Sequence, residues 1–124
     1  MSRGTKRHIA IVDDDALVQE ALGDCMESAG YPVERFGSAE DFLASDSTES
    51  AACLIVDIQL PGITGLELQG RLAGAENRVP IVFVTAHGTN ANRDRAVQHG
   101  ASGFLSKPVR REELLNAVRA AIQD

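Results

Sequence analysis

Three short runs of this chain are apolar at every position: residues 9–12 (Ile-Ala-Ile-Val), 52–56 (Ala-Cys-Leu-Ile-Val) and 80–84 (Pro-Ile-Val-Phe-Val). Each stops at a polar residue, namely Asp13, Asp57 and Thr85. A strand with one wet face alternates apolar and polar residues, so a strand without a polar position is covered on both sides. Weaker strand patterns at residues 32–36 and 101–105 bring the number to five. Segments with helical spacing or helix-start signals stand between them. Strands alternating with helices give an α/β fold of three layers around a parallel sheet of about five strands. Right-handed crossovers then settle most of the connectivity.

The helices announce their ends. Asp15 is placed to cap a helix over residues 16–29, closed by Gly30. Its inward stripe is read as Leu17, Ala21 and Cys25, with Val18, Leu22 and Ala29 beside them. Ser38-Ala-Glu-Asp41 and Thr64-Gly-Leu-Glu67 have capping-box spacing and open helices to about residues 44 and 73. Residues 45–50 read as a polar loop. A helix over 90–98 ends at Gly100, and Ala91, Ala96 and Val97 are its apolar anchors. It can bury little area and is expected to be among the least stable elements. The last helix, from about residue 111, carries Leu114, Leu115, Val118, Ala121 and Ile122 on one face.

The 124 residues suit one domain, residues 1–124 with a core over about 8–122 and no effector domain within the chain. Eighteen acids against twelve bases give a net charge of −6, which argues against direct nucleic-acid binding. The basic residues are scattered: Arg3, Lys6 and Arg7, then Arg93 and Arg95, then Arg110 and Arg111. No apolar run reaches the roughly 18 residues of a membrane span. The N-terminus lacks the apolar core of a secretory signal. Cys25 and Cys53 read as buried thiols, which suits a reducing, cytoplasmic setting. His8 and His99 read as surface residues.

In an open parallel sheet, ligands bind outside the carboxyl ends of the strands. At those ends stand Asp13 and Asp14, Asp57, Thr85, and Lys107 just past the fifth strand. Any one of these has an ordinary reading as a helix cap or a solvated loop residue. Together they form a set. Three neighbouring carboxylates repel by about 4 kcal/mol per pair at 4 Å and an effective dielectric near 20. Protons or a cation must offset this. Oxygen donors without His or Cys nearby suit Mg²⁺ (or Mn²⁺). A carboxylate nucleophile, a hydroxyl, an ammonium and a hard cation are the parts of a phosphoryl-transfer site.

The motifs Ile11-Val-Asp-Asp14, Leu54-Ile-Val-Asp57 with Leu60-Pro-Gly-Ile-Thr-Gly65, Val82-Phe-Val-Thr-Ala86 and Phe104-Leu-Ser-Lys-Pro108 follow in order. In this the chain resembles the response-regulator receiver domain of bacterial two-component systems, over essentially its whole length. The resemblance implies the doubly wound (βα)5, flavodoxin-like fold with strand order 2-1-3-4-5. It implies that Asp57 is the phosphoacceptor. Asp13, Asp14, Asp57 and the backbone carbonyl of Gln59 would hold the metal. Thr85 and Lys107 would bind the phosphoryl oxygens, and a cis peptide would precede Pro108. Phe104 would act with Thr85 as the switch, while the side chains of Gln59 and His87 would tune phosphoryl lifetime. Phe104 together with Thr85-Ala-His-Gly88 is similar to the FixJ-like branch. The implied partners are a sensor histidine kinase or a phosphotransfer protein, and a second copy of the chain after phosphorylation. The implied output is transcriptional, carried by the surface of helix 90–98, the fifth strand and the last helix.

Other functions fit less well. A phosphatase working through an aspartyl phosphate needs an acid two residues past the nucleophile, where this chain has Gln59. The expectation is therefore a protein that catalyses only its own phosphorylation and dephosphorylation. A nucleotide or flavin module would need a Gly-rich cradle after the first strand instead of Asp13-Asp14-Asp15. A single-domain relay or interaction module without its own effector is the alternative within the same family.

Overall fold

The computed structural model describes residues 8–123; the basic tail of residues 1–7 lies outside the described residues. Among the described residues there are five strands and six helices. In chain order they are β1 (Ile9–Val12), α1 (Ala16–Ser28), β2 (Val33–Phe36), α2 (Ala39–Leu43), α3 (Ser47–Ser50), β3 (Cys53–Val56), α4 (Gly65–Gly74), β4 (Ile81–Thr85), α5 (Asn90–Gln98), β5 (Gly103–Ser106) and α6 (Arg111–Ile122). All strand pairs are parallel and the sheet order is β2-β1-β3-β4-β5.

The all-apolar strands are buried along their whole length, as their composition requires. Alternate residues feed two cores. Ile9, Ile11, Cys53, Ile55, Val82 and Val84 face Leu22 and Met26 of α1 and Leu114, Leu115 and Val118 of α6. Ala10, Val12, Leu54, Val56, Ile81 and Phe83 face the other way, toward Phe42, Leu68, Leu72 and Ala96. Edge strands β2 and β5 are only partly covered, which is why their sequences are less apolar.

Helix starts follow the capping signals. Asp15 Oδ1 accepts the Leu17 N–H at 2.9 Å. Thr64 and Glu67 form the reciprocal capping box, whereas Ser38 supplies only its half, to the Asp41 N–H. Gly30 and Gly100 end their helices at φ +96° and +94°, in the left-handed region that glycine enters without strain.

Four readings are corrected. The inward stripe of α1 is Val18, Leu22 and Met26. Ala21 is exposed, Cys25 is half-buried, and Leu17 is 75% exposed. Both stripes have i,i+4 spacing, and packing against the sheet selects the one rotated by a single residue. Residues 45–50 are not all loop, because Ser47–Ser50 forms the short α3, an addition to the simple strand-helix repeat. His8 is not a surface residue. Its Nε2 lies 3.0 Å from Ser47 Oγ, which also donates to Glu34 Oε1, so α3 is tied to the start of β1 and to β2. In α5, Ala91 and Val97 are exposed, and of its residues, all described, Ala96 is the one buried.

Candidate functional site

Strand register assembles the site. Val12 pairs with Val56, and one residue further the Asp57 N–H donates to the Val12 carbonyl at 3.2 Å. Asp13 and Asp57 therefore leave adjacent strands at the same level. On the other side, Thr85 pairs with Ser106, and the Lys107 N–H donates to the Thr85 carbonyl at 2.9 Å. The β5–α6 connection then returns the Lys107 side chain to the two acids. Its Nζ donates to Asp57 Oδ2 at 2.8 Å and to Asp13 Oδ2 at 3.0 Å. The peptide between Lys107 and Pro108 is cis.

The chain after Asp57 is equally constrained. The Gln59 N–H donates to Asp57 Oδ1 at 3.0 Å. The Gly65 N–H donates to the Ile58 carbonyl at 2.9 Å. A Cβ on Gly65 would come within 2.3 Å of the Asp57 carbonyl oxygen, so a glycine is required for α4 to start this close to the site.

Asp13 is 1% exposed, Asp57 6% and Thr85 0%. Asp14 is exposed at the rim, as are the side chains of Gln59 and His87. Burial raises the Asp13 carboxyl above its ordinary value, outweighing the Asp15 N–H and the Lys107 ammonium that favour its charge. Burial alone would lower Lys107, but its hydrogen bonds to Asp57 and Asp13 prevail and hold the ammonium above its ordinary value. Lys107 is thus a fixed positive charge between two acids.

Thr85 Oγ1 accepts the His87 N–H at 3.0 Å, and its own O–H is a donor. Phe104 is 9% exposed. Its ring lies 6.1 Å from that of Phe83, and the Arg93 guanidinium sits 5.4 Å from its centroid. Most of the burial that an inward rotation of Phe104 could gain is therefore already present. Nothing local in the sequence marks the Arg93 cover of Phe104 or the burial of Gln69.

Among the described residues no three His, Cys, Asp or Glu side chains are grouped so as to hold a metal ion as placed. Asp13 and Asp57 converge through Lys107, and Asp14 stands apart at the rim. The donor chemistry still fits a hard cation. Asp13 and Asp57 against the one Lys107 ammonium leave one uncompensated negative charge on oxygen donors, and Asp14 adds a second at the rim.

A parallel 2-1-3-4-5 sheet with Asp57, Asp13, Thr85 and Lys107 at its carboxyl end is what the sequence motifs led one to expect. The family model of the response regulator receiver domain matches residues 9–119. The chain belongs to this family. It is 41% identical to Nodulation protein W of Bradyrhizobium diazoefficiens over 119 residues, 96% of this chain and 52% of that protein. It is 34% identical to the Transcriptional regulatory protein FixJ of the same organism, over 96% of this chain and 58% of that protein. Among solved structures, the response regulator StyR superposes with a TM-score of 0.89 at 40% identity, covering 96% of this chain and 60% of StyR. The chain thus spans somewhat over half the length of these relatives. Similarity to FixJ agrees with the branch suggested by Phe104 and the residues after Thr85. Among the described residues of this receiver, no helix is long and apolar enough to cross a membrane.

Proposed function

We propose that this receiver is a phosphoryl-accepting switch in which Asp57 takes a phosphoryl group from a histidine on a sensor kinase or phosphotransfer protein. The observation that carries the reading is the Asp57 carboxylate, nearly buried at the end of β3 and held 2.8 Å from the Lys107 ammonium. An Asp57 oxygen attacks phosphorus, the P–N bond to the histidine breaks, and its electron pair stays on the imidazole. Lys107 is positioned to neutralise charge on the phosphoryl oxygens, and the Thr85 hydroxyl can donate to one of them. Asp13, Asp57 and the Gln59 carbonyl would hold Mg²⁺ or Mn²⁺, with Asp14 joining from the rim. When bound, the ion would supply positive charge against the transferring group.

The domain does no other chemistry in this reading. Gln59 is an amide and cannot act as the acid of a phosphatase. The output is a changed surface around α5, β5 and the start of α6, read by a second copy of the chain or by an effector. The transcriptional role named for FixJ supports a transcriptional output here. The net charge of −6 favours control of a DNA-binding partner over direct contact with DNA.

The test is incubation with acetyl phosphate and Mg²⁺ followed by intact-mass measurement. One hydroxylamine-labile phosphoryl group is expected on the wild type and none on Asp57→Asn, whose amide is a poor nucleophile. Asp14→Ala should abolish the Mg²⁺ dependence. Equal labelling of Asp57→Asn at that position would reject the assignment.

A further inference from the structure

The two ends of α5 are held in different ways. At the C-terminal end, Gln69 of α4 is 4% exposed. Its side-chain amide donates to the Ala96 carbonyl at 3.0 Å and to the His99 carbonyl at 3.3 Å. The Ala101 N–H also donates to the Ala96 carbonyl, and the Gly100 N–H to that of Val97, both at 3.0 Å. Ala96 is buried beside this junction. The N-terminal end has no buried apolar residue among those described. Arg93 rests on the Phe104 ring. The Thr89 hydroxyl accepts the Asn92 N–H at 3.1 Å, and the Asn92 side-chain amide donates to the His87 carbonyl at 2.9 Å. The His87 N–H in turn donates to Thr85 Oγ1. The first turn of α5 is therefore joined through His87 to the hydroxyl assigned to sense the phosphoryl group, whereas the last turn is fastened to α4.

We propose that α5 is a hinged lever: Gln69 is the pivot at its C-terminal end, and the Arg93–Phe104 contact is the latch that Thr85 releases at its N-terminal end. The inference rests on the switch reading above and adds which end moves and which residues govern it. A shift of Thr85 toward a phosphoryl oxygen draws on its bond to the His87 N–H, and His87 transmits the displacement to Asn92. The cation–π contact resists, and its strength sets how far the unphosphorylated protein already favours release. The buried bonds from Gln69 are costly to leave unmade, so the other end stays in place. Arg93 and Gln69 are positioning residues, and neither touches Asp57.

Amide hydrogen exchange resolved by residue on the full chain tests the lever. In the unphosphorylated protein, Arg93→Met should raise exchange at Asn92, Arg93 (now Met) and Asp94 about three- to tenfold. It should leave Gly100 and Ala101 unchanged, along with Gln19 in α1 and Leu114 in α6. Gln69→Met should do the reverse and raise exchange at Gly100 and Ala101. A uniform rise in either variant, or a rise at both ends of α5 together, overturns the hinge. A second arm adds beryllofluoride and Mg²⁺ to the wild type, where release at Asn92–Asp94 alone is expected. If the variants behave as stated but beryllofluoride leaves α5 unaffected, the hinge stands and the coupling to Asp57 fails. If beryllofluoride loosens Gly100 and Ala101 equally, the pivot is wrong.

Discussion

The two faces of the sheet are built to different standards. One is covered by α1 and α6, helices of 13 and 12 residues, which present Leu22, Met26, Leu114, Leu115 and Val118 to Ile, Val and Cys side chains of the strands. The other is covered by three shorter helices, α2, α4 and α5, and α5 contributes Ala96. Burying a Leu stabilises by about 1.5–3 kcal/mol, so α6 is fixed by its own side chains. Helix α5 lacks such anchors and depends on polar bonds and one cation–π contact. The strong face gives the acids a rigid base, and the weak face has an element that can respond to them.

Single substitutions should separate the faces. The largest contrast is Leu114→Ala against Val97→Ala. Leu114 is 1% exposed and Val97 57%, so urea unfolding should show a loss of about 2–5 kcal/mol for the first and under about 0.5 kcal/mol for the second. Similar losses would mean that α5 is anchored after all.

Next comes the rim where both faces end. Lys107→Met leaves Asp13 and Asp57 side by side without their ammonium, and a loss of about 2–4 kcal/mol is expected at neutral pH. The wild-type contribution should persist up to the ordinary lysine value of 10.5 and fade as pH rises through the higher folded value. Denaturation curves from pH 7 to 11 check this, since the gap between wild type and variant should narrow only at the alkaline end.

Asp13 gives a smaller effect of distinct form. Its folded value lies above 3.8, so the folded state holds this proton more tightly than the unfolded state does. The charged carboxylate therefore costs stability above its folded value, and that cost disappears as pH falls toward 3.8. Measured against Asp13→Asn, the wild type should gain stability on acidification through this window. A gap independent of pH would show that burial does not govern this carboxyl.

The mildest probe is thiol labelling. Cys53, within the strong face, is fully buried and its thiol is pushed up to about 12. Cys25 is half-buried at the edge of that face, and its thiol is also raised by burial. A maleimide reagent at pH 8 should modify Cys25 slowly in the folded protein and reach Cys53 only after denaturant is added. Modification of both at one rate would show that the α1–α6 face opens readily and does not shield Cys53.

The acid set was legible because it depends on position along the chain. Each apolar run ends where its strand ends, and parallel strands finish at one edge of the sheet. Asp13, Asp57, Thr85 and Lys107 could thus be placed together without knowing any contact. Capping chemistry was legible for the same reason, since Asp15, Thr64 and Glu67 act within a single turn. The dependence of α5 on few anchors was legible from its composition.

What tertiary structure decided is which of several locally equivalent options is used. Leu17 and Val18 begin stripes of the same spacing, and only packing against the sheet turns Val18 inward and leaves Leu17 in solvent. Residues 45–50 carry no apolar period, and α3 exists because Ser47 meets His8 and Glu34 from segments 39 and 13 residues away. Gln69 has the appearance of a solvent-facing helix residue until α5 sets two carbonyls against it. The amino-acid sequence determined the ends of the strands and so the chemistry of the site, because those signals are carried by neighbouring residues. The tertiary structure decided how the site is connected to α5, because that connection runs through hydrogen bonds and a ring contact between segments remote in sequence.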